Sequence, residues 1–147
     1  EFNKKIEQML ELVQKQDGLG LAATQVGWDK RLVIINDPSD KEKPPVVYIN
    51  PVILTTSKEK EKAEEGCLSV PGVFEEVERC SSIQIKLTTL EGKTQEYNFS
   101  GIQARVWQHE TDHLDGILFI NRISRMKKLS IRNELKYLEK KFKAVQY

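Results

Sequence analysis

Apolar residues follow a helical period at the two ends of the chain and form short runs or alternations between them. Phe2, Ile6, Met9, Leu10 and Val13 recur every three or four positions, which predicts an amphipathic helix over residues 2–15. Asp17-Gly18 stops it. Gly18 to Gly27 reads as a loop of small residues, and Arg31 to Asn36 as a strand of the buried type. The segment Asp37–Pro45 holds three prolines and five charged residues, the composition of a surface loop. Val46–Ile49 and Val52–Leu54 are strand-like, with Asn50-Pro51 bending the chain between them.

Residues 57–65 are almost all Lys and Glu with alternating sign, which suits a solvated turn or edge rather than a binding tail. After Glu65–Gly72, weak strand character runs from Val73 to Arg79. Ser82–Leu90 and Thr94–Phe99 predict a hairpin around Glu91-Gly92. Ser100 with Gln103 has the spacing of a capping box opening a helix that runs to about Leu114 and ends at Gly116. Ile117–Ile120 is a short apolar segment. Ile131, Leu135, Leu138, Phe142 and Val145 mark a terminal helix. Helix, many strands, helix, helix is an α+β order with largely antiparallel sheets rather than alternating βαβ units.

The chain's 147 residues suffice for one domain with a real core, so residues 1–147 are read as a single domain. A net charge of +1 gives no electrostatic case for nucleic acid or an anionic membrane. No apolar run reaches membrane-spanning length, and the first residues lack a secretory pattern. Two cysteines in unlike settings do not make a disulfide framework, which points to a reducing, cytoplasmic compartment.

The chemistry concentrates in Gln108-His-Glu-Thr-Asp-His-Leu-Asp-Gly116. His109 and His113 are one helical turn apart, so both imidazoles can close on one metal ion, and Glu110 can take a proton from a water there. Ile102, Val106, His109 and His113 fall within an arc of about 60° at ~100° per residue. That stripe is either ordinary core or the wall of an apolar pocket beside the metal. Histidines on an apolar face are more often hydrogen-bonded core residues than ligands. Here, however, both histidines of the chain lie in this motif and flank a glutamate.

A third ligand must come from elsewhere. A Glu or His farther along the helix is one option. Cys67, in a loop flanked by Gly66 and Pro71-Gly72, is the better candidate, although buried free cysteines are common. Cys80 fits no ligand pattern. A Cys-His-His set leaves one tetrahedral position open for water, which hydrolysis needs. Gly18-x-Gly20 has no Lys-Ser/Thr after it, so it is not a phosphate loop. Gln25 either donates its amide to an oxyanion or simply caps its loop.

Gly18-Leu-Gly-Leu-Ala-Ala-Thr-Gln25, Glu65-Gly-Cys-Leu-Ser69 and Gln108-His-Glu-Thr-Asp-His113 together resemble the three signature motifs of the peptide deformylases, in that family's order and spacing. Each motif alone is weak, and the third is partly shared with zinc proteases. The resemblance covers essentially the whole chain. It implies an α+β fold packed around a central metal-binding helix, and removal of the formyl group from N-formylmethionine on new polypeptides. Cys67, His109 and His113 would hold the metal. Glu110 would act as general base and then acid while metal-bound hydroxide attacks the formyl carbonyl. Gln25 and the Leu68 backbone N–H would hold the developing oxyanion. Leu19, Gly20, Gly66 and Leu68 would pair with an extended substrate peptide. Ile102, Arg105 and Val106 would line the methionine pocket, Arg105 by its aliphatic stem. Asp112 would pair with Arg79 to brace the helix.

The resemblance implies Fe(II) as the physiological ion, while the donor set also suits Zn(II), Ni(II) or Co(II). It implies a monomer acting on ribosome-associated formylmethionyl chains, in the cytoplasm or, in a eukaryote, an organellar matrix. The short gap between the first two motifs and the long C-terminal helix resemble the Gram-negative and organellar class. There are two departures. The family's strand-bearing segment before the first helix has no counterpart ahead of Glu1, and Phe74 stands where many relatives carry a polar or basic residue near the peptide's exit. Two other readings are a zinc protease, which would not use Cys67, and an inactive module that binds formylated or methionine-led N-termini.

Overall fold

The computed structural model describes residues 1–145, with side-chain surroundings through Lys141. The chain forms two compact units, Glu1–Glu61 with Arg79–Ile117, and Lys62–Glu78 with Leu118–Tyr147.

The first unit is built on a five-stranded antiparallel sheet of order β1-β2-β3-β6-β7, where β1 is Gly20–Ala22, β2 Leu32–Ile35, β3 Val46–Thr56, β6 Ser82–Thr89 and β7 Thr94–Ser100. Alternation explains its layering, because successive strand residues face opposite sides. Leu32 and Ile34 pack with Ile6, Met9 and Val13 of helix α1 (Phe2–Lys15). Val33 and Ile35 pack with Ala104, Val106, Trp107 and Leu114 of helix α2 (Gly101–Leu114). A helix on each face buries all four residues of β2, which is why that strand reads as an unbroken apolar run.

Several expectations change in detail. The stretch read as a small-residue loop contains strand β1 and a single 3-10 turn, Ala23–Val26. Leu21 joins the α1 cluster and Ala22 the α2 cluster, an alternation that small side chains conceal. The two strands expected around Asn50-Pro51 are one strand with a register shift between Ile49 and Val52. Asn50 absorbs it at φ 49°, a left-handed conformation that asparagine tolerates. Ser100 does cap α2, but its side chain makes no capping hydrogen bond, so the expected capping box is not formed. Instead the Gly101 N–H donates to the Ser81 carbonyl at 3.1 Å. The far end of α2 closes as a Schellman motif: Ile117 N–H reaches Asp112 O at 2.8 Å and Gly116, at φ 76°, reaches His113 O at 3.1 Å.

The second unit holds most of a two-stranded sheet, β4 (Lys60–Cys67) and β5 (Val70–Cys80), with helices α3 (Arg125–Ser130) and α4 (Arg132–Val145). The alternating Lys/Glu run is thus, from Lys60 on, a largely exposed strand, except that Glu65 is buried, and Cys80 closes β5. Val70, Val73, Val77, Phe119, Ile123 and Ile131 form this unit's core, with Leu135 and Leu138 against it. The terminal helix is preceded by the unforeseen α3, and Ile131 sits at the break between the two. Phe142 and Val145, expected on its apolar face, lie outside the residues whose side chains are described.

Candidate metal centre

Helix α2 is buried nearly all round. Gln108, Glu110, Thr111, Asp112 and His113 are each at most 9% exposed. Burying five polar residues in two turns costs free energy unless each is matched, so such a helix is shaped by more than packing. The two imidazoles converge, with Nε2 of His109 and Nε2 of His113 3.1 Å apart. Two nitrogens bound tetrahedrally at ~2.0–2.1 Å from one zinc-sized ion would stand roughly 3.3 Å apart, so the pair is set to share an ion. Cys67, His109 and His113 bring their ligand atoms within 4.8 Å of one another. A soft thiolate with two imidazoles suits a first-row divalent cation.

Glu110 lies against Gly20. A methyl group on Gly20 would come within 3.0 Å of the carboxylate carbon, Cγ and Oε1 of Glu110. Gln25 sits in the 3-10 turn with its Oε1 accepting the Ala22 N–H at 2.8 Å, a bond local to the turn. The loop-capping reading of Gln25 is thus met by this bond. Arg79 donates to the Asp112 carboxylate at 2.6 Å with both groups buried.

β1 is an edge strand, so the backbone around Leu19 and Gly20 lies at a sheet margin, the place where an extended peptide can add. Leu68 is exposed in the two-residue turn between β4 and β5. A methyl on Gly66 would collide with the Phe74 ring at 2.4 Å, so that ring lies directly over Gly66. Ile102 is 54% exposed, whereas Val106 belongs to the α2-side core. Arg105 donates its guanidinium to the Glu61 carbonyl at 2.7 Å. Val106 borders a cavity of about 280 Å³ that also takes in Tyr48, Tyr97, Phe99 and Trp107, but neither Ile102 nor Arg105 lines it.

Two residues had no role in the sequence reading. Thr24 donates its hydroxyl to the His113 carbonyl at 2.8 Å, tying the Gln25 turn to the ligand helix across 89 positions of sequence. Gln108 stood in the motif but its partners, the backbone groups of Cys80, carry no sequence signal.

Comparison with known proteins decides the family: the polypeptide deformylase profile matches residues 1–129. The chain belongs to the polypeptide deformylase family. It is 47% identical over 114 residues to a peptide deformylase of Desulforudis audaxviator, covering 78% of this chain and 72% of that one. With a Thermotoga maritima peptide deformylase it shares 46% over 134 residues, 91% of this chain and 79% of the relative. Among solved structures, a Plasmodium falciparum peptide deformylase superposes with a TM-score of 0.90 at 35% identity, covering 99% of this chain and 86% of that one. Arabidopsis thaliana peptide deformylase 1B gives 0.88 at 36%, covering 97% and 79%. Polypeptide deformylases are metal-dependent hydrolases that remove the formyl group from N-formylmethionine on nascent polypeptides, and this chain is an enzyme of that kind. Its fold class is the family's, α+β with antiparallel sheets and a C-terminal helix. No helix among the described residues is long and apolar enough to cross a membrane.

Proposed function

We propose that Cys67, His109 and His113 hold one divalent ion, Fe(II) in the cell, and that Glu110 is the proton-transfer residue of deformylation. The observation that carries this reading is the convergence of the three ligand atoms within 4.8 Å, next to a glutamate that is 4% exposed. A bound divalent ion supplies Lewis acidity and lowers the pKa of water. Glu110 accepts a proton from the attacking water and returns it to the amine as the formyl C–N bond breaks. Gln25, through its amide hydrogens, and the Leu68 N–H receive the negative charge that develops on the formyl oxygen. Leu19, Gly20, Gly66 and Leu68 pair with the substrate backbone, consistent with the edge position of β1. Ile102, Arg105 and Val106 flank the methionine side chain, Arg105 by its aliphatic stem while its guanidinium donates to the Glu61 carbonyl. The Arg79–Asp112 pair braces the helix from behind.

We read residues 1–147 as one catalytic domain, a cytoplasmic or organellar monomer acting on nascent chains near the ribosome. The deciding assay is formate release from formyl-Met-Ala-Ser under anaerobic conditions with added Fe(II). Wild type is expected to turn over and Glu110→Ala to lose at least 100-fold. Equal activity of the two removes Glu110 from the mechanism. Cleavage of internal peptide bonds with Cys67→Ala retaining its metal favours the protease reading instead.

A further inference from the structure

The side chain of Gln108 behaves as a piece of β-ladder. Its Oε1 accepts the Cys80 N–H at 3.1 Å, and its Nε2 donates to the Cys80 carbonyl at 2.8 Å and to the Ala104 carbonyl at 3.0 Å. One amide thus engages both backbone groups of a single strand residue, as a paired strand would. Gln108 is 9% exposed, so water has little access to these bonds. One helical turn later, Asp112 takes the guanidinium of Arg79, the residue next to Cys80. Two grips of this kind, ~6 Å apart along α2 and on one flank, oppose both sliding and rotation of the helix.

We propose that Gln108 is a positioning residue of the metal centre, its amide fixing the rotation of α2 that aims His109 and His113 at one ion. This rests on the metal-centre reading above. Ring nitrogens lie about 6 Å from a helix axis, so a rotation of only ~5° displaces them by ~0.5 Å. Metal–ligand distances tolerate about ±0.2 Å. A helix held by apolar packing alone has no comparably directional restraint against that rotation. The amide is also the required chemistry. The site offers one donor and two acceptors, and a carboxylate would satisfy the donor while facing two carbonyl oxygens with an anion.

The test compares the full chain with Gln108→Met and Gln108→Glu. Zn(II) affinity is measured by competition with a chromophoric chelator, and the d–d spectrum is recorded for protein loaded with Co(II). Both variants are expected to bind Zn(II) 10- to 100-fold more weakly and to shift the Co(II) bands. A purely structural glutamine would lower the thermal midpoint while leaving affinity and spectrum at their wild-type values, and that result overturns the proposal. Should both variants fail to fold, Gln108→Asn, which keeps the amide but retracts it by one methylene, is judged by the same two readouts. If wild type itself binds neither ion, the metal-centre reading falls and this inference with it. Loss in the variants against a loaded wild type supports both.

Discussion

Gly20 and Glu110 are separated by no more than the space of a hydrogen atom: any Cβ at position 20 would sit 3.0 Å from three atoms of the glutamate side chain. The backbone of an edge strand therefore forms one wall of the slot that orients Glu110. Gly20 has an ordinary negative-φ conformation, so an alanine there is resisted by this contact and not by backbone strain. Gly20→Ala is expected to push Glu110 by a few tenths of an ångström and to lower kcat about tenfold, with a small change in thermal midpoint. Gly20→Val should cost more. Unchanged kcat in both variants would show that the carboxylate's position is not critical.

Arg79 and Asp112 form a buried ion pair at 2.6 Å, and neutralising either charge removes that attraction from a buried site. Asp112→Asn is expected to destabilise the protein by about 3 kcal/mol, toward the low end for such pairs because Asn still accepts a hydrogen bond. The urea midpoint should fall without a change in slope. Metal retention during dialysis should fall 10- to 100-fold. Asp112→Asn with wild-type stability, metal content and activity would remove the pair from any account of the site.

Cys67→Ala should abolish tight metal binding. For wild type, Zn(II) at ~100 times its Kd stabilises the folded state by ~2.7 kcal/mol, which a thermal melt resolves. The variant should show no zinc-dependent shift. A full shift in Cys67→Ala would move the third ligand elsewhere.

The Phe74 ring covers Gly66 so closely that a methyl group would meet it at 2.4–2.5 Å. Gly66→Ala must displace the ring, and with it the surface beside Leu68. KM for formyl-Met-Ala-Ser is expected to rise severalfold in Gly66→Ala and to recover partly in Gly66→Ala/Phe74→Ala. Strict additivity of the two substitutions would show that the residues act independently.

Tyr48 lies at the aromatic cluster with Trp107, and burial, followed by its neighbours Tyr97 and Asp37, raises its phenol above the ordinary value of 10.0. The unfolded chain therefore ionises first. Stability from this group is complete below about pH 10 and is lost as pH rises through the folded-state pKa. The urea midpoint is expected to decline in that range for wild type and less steeply for Tyr48→Phe. Identical profiles would place the titration elsewhere.

Local periodicity carried much of the fold. Helix α1 and helix α2 occupy the expected residues because apolar period and stop signals, Asp17 and Gly116, are short-range properties. The hairpin around Glu91-Gly92 follows for the same reason. Strand β1 escaped notice because Leu21 and Ala22 are too short a run to show alternation. The candidate site was legible where its residues are neighbours in sequence: the spacing of His109, Glu110 and His113 suggests a shared ion, and the other motifs give it weight.

By itself, then, the sequence determined the residue types of the metal centre, the helix that carries two of them, and the family to which the chain belongs. Tertiary structure decided how they are held. Gly20 against Glu110, Thr24 on the His113 carbonyl and Gln108 on Cys80 join positions 28 to 90 residues apart. No local pattern encodes such pairs, because a hydrogen bond or a close contact depends on where two segments meet after folding, not on what stands beside each in the chain. Arg79 and Asp112 are the intermediate case, pairable from family resemblance but joined at 2.6 Å only by the fold.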